Sequence, residues 1–252
     1  SGATISIAIG APPVAAATSA DPERVSRILA DVRTRGDAAV REWTARLDGC
    51  ELADLTVPAD TLRAAWEALD PGERDALDHA ARNITAFAQA QRKHLDEFAI
   101  EVEPGVQAGQ RVLPIDRVAC YVPGGRYPMF GSAQMSIIPA KVAGVKTVIA
   151  CTPPVKGGGY FPATINAMKK AGADRIFVVG GVPAMALMAF GMGVVEPADI
   201  LCGAGNKFVA EAKRQLFGQC GIDLLAGPTE IAIIADDSAD PALVACDLLG
   251  QA

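Results

Sequence analysis

The sequence has few histidines and no closely spaced pair of cysteines. Its only two histidines, His79 and His94, show no HxxxH spacing, and its six cysteines show no CxxC spacing. Because structural zinc sites usually take their ligands at such spacings, neither set predicts a metal site by itself. His94-Leu95-Asp96-Glu97 reads HxxE, which is a weak metal signal, and we expect both histidines to be surface residues or to be satisfied by their neighbours.

Long apolar runs and a secretory signal are also absent. No apolar run reaches the ~18–20 residues that a membrane span needs. The first twenty residues carry no charged side chain and contain Pro12-Pro13, so they lack the basic region of a signal peptide and cannot form one apolar helix. Most cysteines lie in or beside apolar runs, which is typical of reduced core thiols. These features predict a cytoplasmic protein without membrane contact.

Basic clusters are missing as well. The net charge is -6, and the Lys and Arg residues are spread along the chain, which argues against a nucleic-acid-binding surface. With 252 residues, 50% of them hydrophobic, the chain can bury a core and form one large or two modest domains.

No GxGxxG fingerprint follows any predicted strand, so the usual dinucleotide motif is absent. The chain has instead Tyr121-Val122-Pro123-Gly124-Gly125-Arg126-Tyr127-Pro128, between a strand-like and a helix-like apolar run. Gly124 and Gly125 let backbone amides approach a ligand closely, and the following helix offers unpaired N–H groups to an anion. A tight turn between strand and helix without a ligand has the same pattern, so this octet alone leaves both interpretations open.

The first hundred residues predict a helical region. Asp21-Pro22-Glu23 has the capping acid, the first-turn proline and the acidic residue of a helix start. A second helix restarts at Gly36-Asp37, and two more are predicted at about 61–69 and 72–93.

From about residue 118 the pattern alternates between strands and helices. Two short strands precede it, at about 100–102 and 110–113. The later strands are predicted at about 118–122, 147–151, 175–179, 200–202, 223–225 and 230–235. The helices between and after them are predicted at about 132–143, 163–171, 184–190, 207–217 and 241–252. This alternation predicts an α/β fold with a parallel sheet covered on both faces.

The order and spacing of five motifs resemble the histidinol dehydrogenase family, which reads YVPGG, PAxxAGV, GPGN, GPSE and DLLSQAEH. After the octet at Tyr121 the chain has four matching stretches, which are Pro139-Ala140-Lys141-Val142-Ala143-Gly144-Val145, Gly203-Ala204-Gly205-Asn206, Ala226-Gly227-Pro228-Thr229-Glu230-Ile231 and Asp247-Leu248-Leu249-Gly250-Gln251-Ala252. The resemblance is strong over 118–252 and loose over 21–110. Ala204 stands where the family has proline, and Gly250 where it has serine.

The resemblance implies a fold and a domain division. The fold is an incomplete Rossmann-like α/β architecture, similar to that of aldehyde dehydrogenases, with parallel sheets, flanking helices and an N-terminal helical region. The division is an N-terminal extension (1–20), a first α/β domain (21–121 and 229–252) and an NAD-binding Rossmann-like domain (122–228).

The resemblance also implies cofactors and residues. The cofactors are NAD and zinc, and the residues matching the family's NAD contacts are Tyr121, Asn206 and Pro183. Pro183 stands where the family has a glutamine, and proline has neither a side-chain donor nor an N–H. On residue chemistry alone, Tyr121 could also be a half-buried aromatic whose hydroxyl bonds to backbone, and Asn206 a helix N-cap.

Two further positions match substrate and metal contacts of the family. Thr229 matches a substrate-contacting serine, and a branch of the family that oxidises sulfopropanediol carries threonine there. Gln251 matches a residue that contacts both zinc and substrate. Arg126 is a candidate partner for an acidic or sulfonate group, or a solvated turn arginine. The family's catalytic Glu-His pair and its remaining zinc ligands fall beyond Ala252, so we expect no catalytic residue in 1–252.

Three functions follow as hypotheses. The first is a homodimeric zinc- and NAD-dependent dehydrogenase that oxidises a small polar alcohol through the aldehyde to the acid. The second is a catalytically incomplete paralogue that binds a nucleotide or a partner. The third is an aldehyde dehydrogenase-like enzyme that uses the thiol of Cys120 or Cys151, which lie at predicted strand ends.

Overall fold

The computed structural model describes residues 6–10, 21–51, 54–124, 127–155, 158–193, 195–225 and 231–251. Four helices begin the larger part of it, as predicted: α1 (Pro22–Arg35), α2 (Asp37–Asp48), α3 (Ala59–Glu67) and α4 (Pro71–Arg92). Asp21 caps α1, since its Oδ1 accepts the N–H groups of Glu23 and Arg24 at 3.1 Å each. Asp70 and Glu73 form a capping box at the start of α4, which stabilises a helix end by satisfying two backbone donors.

An exposed hairpin follows, formed by β2 (Phe98–Glu103) and β3 (Val106–Gln110). The sequence predicts the second strand at 110–113, whereas the structure has it earlier. The turn at Gly105, where φ is 82°, brings the chain back at once, so Phe98 pairs with Gln110 at the open end of the hairpin. The position of this turn, rather than the apolar run after it, sets the register.

The main sheet has five parallel strands in the order β6-β5-β4-β7-β8. Its strands are β4 (Arg117–Tyr121), β5 (Thr147–Thr152), β6 (Arg175–Val178), β7 (Ile200–Cys202) and β8 (Gly221–Ile222). The predicted strand at 223–225 is wrong in position, because Asp223 ends the ladder with its N–H bonded to Leu201 O and its carboxylate bonded to Gly203 and Lys213.

Helices cover both faces of this sheet, as predicted. The connecting helices are α5 (Phe130–Ala143), α6 (Pro162–Ala171), α7 (Gly181–Phe190) and α8 (Lys207–Leu216). On one face α1 and α2 pack against α7 and α8, and on the other α3 and α4 pack against α5 and α6. The core residues of α7 from Val182 to Ala189 are all buried, which is typical of a helix enclosed on all sides.

A second sheet consists of two strands that lie far apart in the sequence. Strand β1 (Ser6–Gly10) pairs antiparallel with β9 (Ile231–Ala235), and α9 (Pro241–Gln251) follows. The sequence predicts only an extension at 1–20 and places 230–235 with the parallel strands. The placement of 230–235 is wrong, because β9 pairs with a segment more than two hundred residues away and no local pattern encodes that pairing. The extension at 1–20 stays a prediction, and the structure adds a strand within it.

The predicted domain division stays a prediction. Strand β4, which that division assigns to the first domain, lies at the centre of the five-stranded sheet. Among the described residues, no helix is long and apolar enough to cross a membrane.

Candidate functional site

A cleft of about 880 Å³ opens at the carboxyl ends of the parallel strands. Six residues from the strand ends and helix starts line it: Tyr121, Gly124, Pro153, Gly180, Gly181 and Asn206. In open parallel sheets this edge is the usual ligand site, because loops and helix N-termini converge on it. The octet that begins at Tyr121 thus lies at this cleft, as the sequence predicts, and its role in ligand binding stays a prediction.

Tyr121 is the last residue of β4, and its side chain is buried. Its hydroxyl oxygen accepts the Gly181 N–H at 3.1 Å, which is the backbone partner that the alternative interpretation of this residue expects. Burial raises the pKa of Tyr121 to about 12, so the hydroxyl is neutral near pH 7. Tyr121 therefore joins β4 to the start of α7 while it also lines the cleft.

Asn206 caps helix α8, as its chemistry predicts. Its Oδ1 accepts the N–H groups of Phe208 at 3.0 Å and Val209 at 3.2 Å. The same side chain lines the cleft, and its amide N–H groups are donors that the cap does not use. Capping and ligand contact are thus compatible in one residue.

Pro183 lies in the first turn of α7, where a proline costs no helical hydrogen bond. Its side chain is buried and is not among the residues that line the cleft. The cleft is bounded instead by Gly180, Gly181 and Val182 of the same turn. The structure thus brings Tyr121 and Asn206 together in the lining of the cleft, whereas Pro183 is buried and does not line it.

Three sequence-predicted residues are not placed. Thr229 and Arg126 lie outside the described residues. Gln251 is the last residue of α9, and its side chain lies outside the described part of the structure. Their predicted roles with substrate, a sulfonate or acidic group, and zinc therefore stay predictions.

Sequence reasoning missed one wall of the cleft, which comes from the N-terminal helices. Arg24 of α1 and Arg46 and Asp48 of α2 line it together with Phe208 of α8. The Arg24 guanidinium lies 5.6 Å from the centre of the Phe208 ring. This wall becomes visible only when α1 and α2 are packed on α7 and α8. In the sequence, its one weak signal is that Arg24 and Asp48 lie at the ends of helices with an apolar face.

An ion pair between a buried lysine and a partly exposed aspartate supports the loop before Asn206. The side chain of Lys213 is fully buried, and its Nζ donates to Gly203 O at 2.9 Å and to Asp223 Oδ1. Asp223 Oδ2 accepts the Gly203 N–H at 2.7 Å. Gly203 has a φ of 116°, and a Cβ there would lie 2.1 Å from Tyr121 O. Position 203 therefore requires glycine, and the ion pair binds both the N–H and the carbonyl oxygen of this residue.

The cysteines and histidines do not form a catalytic group within the described part of the chain. Cys120 and Cys151 are fully buried, and burial raises the pKa of both thiols, that of Cys120 to about 12. His79 is hydrogen-bonded to Asn83, and both histidines lie away from the cleft. Among the described residues, no three His, Cys, Asp or Glu side chains come together as a metal site. The thiol hypothesis therefore has no structural support.

Comparison with known proteins agrees with the motif analysis. A sequence model of the histidinol dehydrogenase family matches residues 15–252. The chain belongs to the histidinol dehydrogenase family. A histidinol dehydrogenase homologue of Shouchella clausii is 47% identical over 91% of this chain and 54% of its own length. The sulfopropanediol 3-dehydrogenase of Ruegeria pomeroyi is 44% identical over 91% of this chain and 53% of its own length.

The fold of the histidinol dehydrogenase family is confirmed as well. The crystal structure of histidinol dehydrogenase from Elizabethkingia anophelis superposes with a TM-score of 0.83 at 33% identity, over 93% of this chain and 54% of the other. The chain thus spans about half the length of the relatives that it matches.

Proposed function

We propose that this protein is an NAD-dependent dehydrogenase that oxidises a small polar alcohol through the aldehyde to the acid. The observation that carries the proposal is the cleft that brings Tyr121 and Asn206 together at the strand ends, in a chain that belongs to a dehydrogenase family. When bound, NAD supplies the hydride acceptor. This chain's own residues hold it and orient it.

The residues of the cleft fit a dinucleotide. The volume of about 880 Å³ suits a cofactor of that size. One loop approaches the cleft through a glycine, since Gly180 lines it and a Cβ there would lie 2.7 Å from Pro153 Cβ. At the start of α7 the Gly181 N–H is bonded to Tyr121 and Pro183 has no N–H, so of its first three residues only Val182 has an N–H to offer a phosphate. Asn206 supplies amide donors beside it.

Zinc dependence is proposed on family membership alone. Gln251 is the position of this chain that matches a zinc and substrate contact of the family, and the described residues contain no cluster of metal-ligating side chains. We assign no chemical step to the metal.

The substrate class is proposed from the relatives. Proteins named for histidinol and for sulfopropanediol match this chain at similar identity, 45% for the histidinol dehydrogenase of Methanosarcina barkeri and 44% for the sulfopropanediol 3-dehydrogenase. Identity therefore does not separate the two alcohols. Thr229, which carries an additional methyl group relative to serine, favours a sulfopropanediol-like alcohol.

Two assays test the proposal. Calorimetric titration with NAD should show binding, and NADH absorbance should rise with histidinol or with 2,3-dihydroxypropane-1-sulfonate when zinc is supplied. Oxidation through to the acid produces two NADH per alcohol. Absence of both NAD binding and NADH formation would contradict the proposal.

A second candidate function is nucleotide binding without catalysis, by a catalytically incomplete paralogue. Pro183 in place of the family glutamine favours it, because proline has no side-chain donor or acceptor. Binding of NAD without NADH formation from any alcohol, at any zinc concentration, would support this candidate over the first.

We further propose that the protein acts as a homodimer in the cytoplasm and binds neither nucleic acid nor membranes. Family membership supports the dimer, and the net charge of -6 argues against nucleic acid. Light scattering after size exclusion measures the dimer directly.

A further inference from the structure

The Asp48 carboxylate lies at the wall of the cleft and accepts no hydrogen bond from any described residue. Asp48 is the last residue of α2, and Gly49 ends the helix with a φ of 65°. The side chain lines the cleft together with Tyr121 and Asn206. Burial is the cause that raises the pKa of its carboxyl above the ordinary value, and no hydrogen bond from a described residue opposes it. A carboxylate partly removed from water without a donor is unfavourable.

The Asp48 carboxylate lies against a glycine. A Cβ at Gly180 would lie 3.2 Å from Asp48 Oδ2 and 2.7 Å from Pro153 Cβ. The missing side chain therefore lets Asp48 reach the loop between β6 and α7, beside the turn that follows β5. Asp48 and Tyr121 line the same cleft, and the Asp48 charge adds to the raised pKa of Tyr121 after the larger effect of burial.

Several other polar groups of the cleft have partners among the described residues. The Gly181 N–H donates to Tyr121, and the guanidinium groups of Arg24 and Arg46 lie over the rings of Phe208 and Trp43, at 5.6 Å and 5.1 Å from the ring centres. No ion pair joins either arginine to Asp48 among the described residues. A ligand group that binds the Asp48 carboxylate directly is therefore a hydrogen-bond donor, because the carboxylate only accepts hydrogen bonds and repels an anion placed against it.

A ribose supplies such donors. Its vicinal hydroxyls can donate two hydrogen bonds to one carboxylate, as they do to an acidic residue in many dinucleotide sites. A 2′-phosphate in the same place would bring its negative charge against the carboxylate. Resting on the function proposed above, we propose that Asp48 binds the adenosine ribose hydroxyls of the cofactor and thereby selects NAD over NADP.

The test is calorimetric titration of the purified protein and of the variants Asp48→Asn, Asp48→Ala and Asp75→Asn with NAD and NADP. Hydrogen bonds to a charged group make the expected loss of NAD affinity in D48A roughly ten- to hundredfold. D48N and D48A should narrow the preference for NAD, because both remove the charge that repels the 2′-phosphate. Asp75 is exposed on α4, so D75N is a control with the same charge change and should bind like the unaltered protein.

A second measurement isolates the hydroxyl contact. Adenosine 5′-monophosphate should bind the unaltered protein more tightly than its 2′-deoxy analogue, and this difference should disappear in D48A. Thermal unfolding shows whether each variant folds. If D48A does not fold, the same comparison is made with the isosteric variant D48N.

The outcomes separate this inference from the proposed function. If the unaltered protein does not bind NAD, the proposed function itself is wrong. If NAD binds and D48N, D48A and D75N bind it equally well, or if the unaltered protein prefers NADP, only the role of Asp48 is overturned.

Discussion

Lys213 and Asp223 form an ion pair inside the protein, and both side chains bind the peptide groups of Gly203. The lysine side chain is 1% exposed and the aspartate side chain 27%. Asn206 follows three residues after Gly203, so the pair holds the loop that presents Asn206 to the cleft. It also anchors the chain at Asp223, just before the segment that contains Thr229.

Replacement of Lys213 by methionine should lower the free energy of unfolding by about 2–4 kcal/mol, because Asp223 and Gly203 O then lose a buried donor. Urea denaturation measures this change. Lys146→Met, which breaks an exposed pair with Asp116, is the control and should cost at most about 1 kcal/mol. Equal effects of the two substitutions would contradict a structural role for the buried pair.

Replacement of Tyr121 by phenylalanine should destabilise the protein by about 1–2 kcal/mol, because the Gly181 N–H loses its acceptor. It should also weaken NAD binding, since the start of α7 borders the cleft. Tyr127→Phe changes an exposed tyrosine and should leave both properties unaltered. Unfolding curves and NAD titrations of the two variants give the comparison.

Two substitutions at Asn206 separate capping from ligand binding. Asn206→Ala should lose about 1 kcal/mol of stability with the cap of α8. Asn206→Asp keeps an acceptor for the N–H groups of Phe208 and Val209 and should retain stability, but it lacks the amide donors that face the cleft. We therefore expect weaker NAD binding in both variants and destabilisation in only one. An N206D variant that binds NAD normally would show that the residue is a cap alone.

The Asp31 carboxyl should make the protein acid-sensitive. Hydrogen bonds from Arg35 and Trp43 lower its pKa from 3.8 to about 2. Because the pKa in the folded state lies below that in the unfolded state, the stabilisation is present above about pH 4 and is lost as the pH falls towards 2. Melting temperatures of the protein and of Asp31→Asn should therefore converge across this window. Parallel curves down to pH 2 would argue against the linkage.

The cysteines should differ sharply in reactivity. Cys120 and Cys151 are buried with raised pKa values, whereas Cys246 is exposed. Because the thiolate is the reactive form, iodoacetamide should modify Cys246 in the folded protein and leave Cys120 and Cys151 intact. Mass spectrometry of peptides after brief labelling measures this. Rapid labelling of Cys151 in the folded protein would instead support the thiol mechanism.

Local features of the sequence predicted much of the fold. The cap at Asp21 and the cap at Asn206 depend on hydrogen bonds to residues two or three positions away, so their residue types suffice to predict them. The alternation from residue 118 predicted the helices around the sheet for the same reason, since amphipathic and buried periodicity is local. The octet at Tyr121 located the cleft because parallel strands place their carboxyl ends at one edge.

The sequence by itself determined the family, the α/β class and the strand end at which the cleft lies. Only the tertiary structure decided that β1 pairs with β9 and that Lys213 binds Gly203. It also decided that Pro183 is buried outside the lining of the cleft and that Asp48 of α2 lies beside Gly180. Each of the three contacts joins residues of separate elements, and the burial of Pro183 likewise depends on how helices pack. Such arrangements are set by the burial of apolar faces across the whole chain, to which the pattern of any one segment contributes only a part.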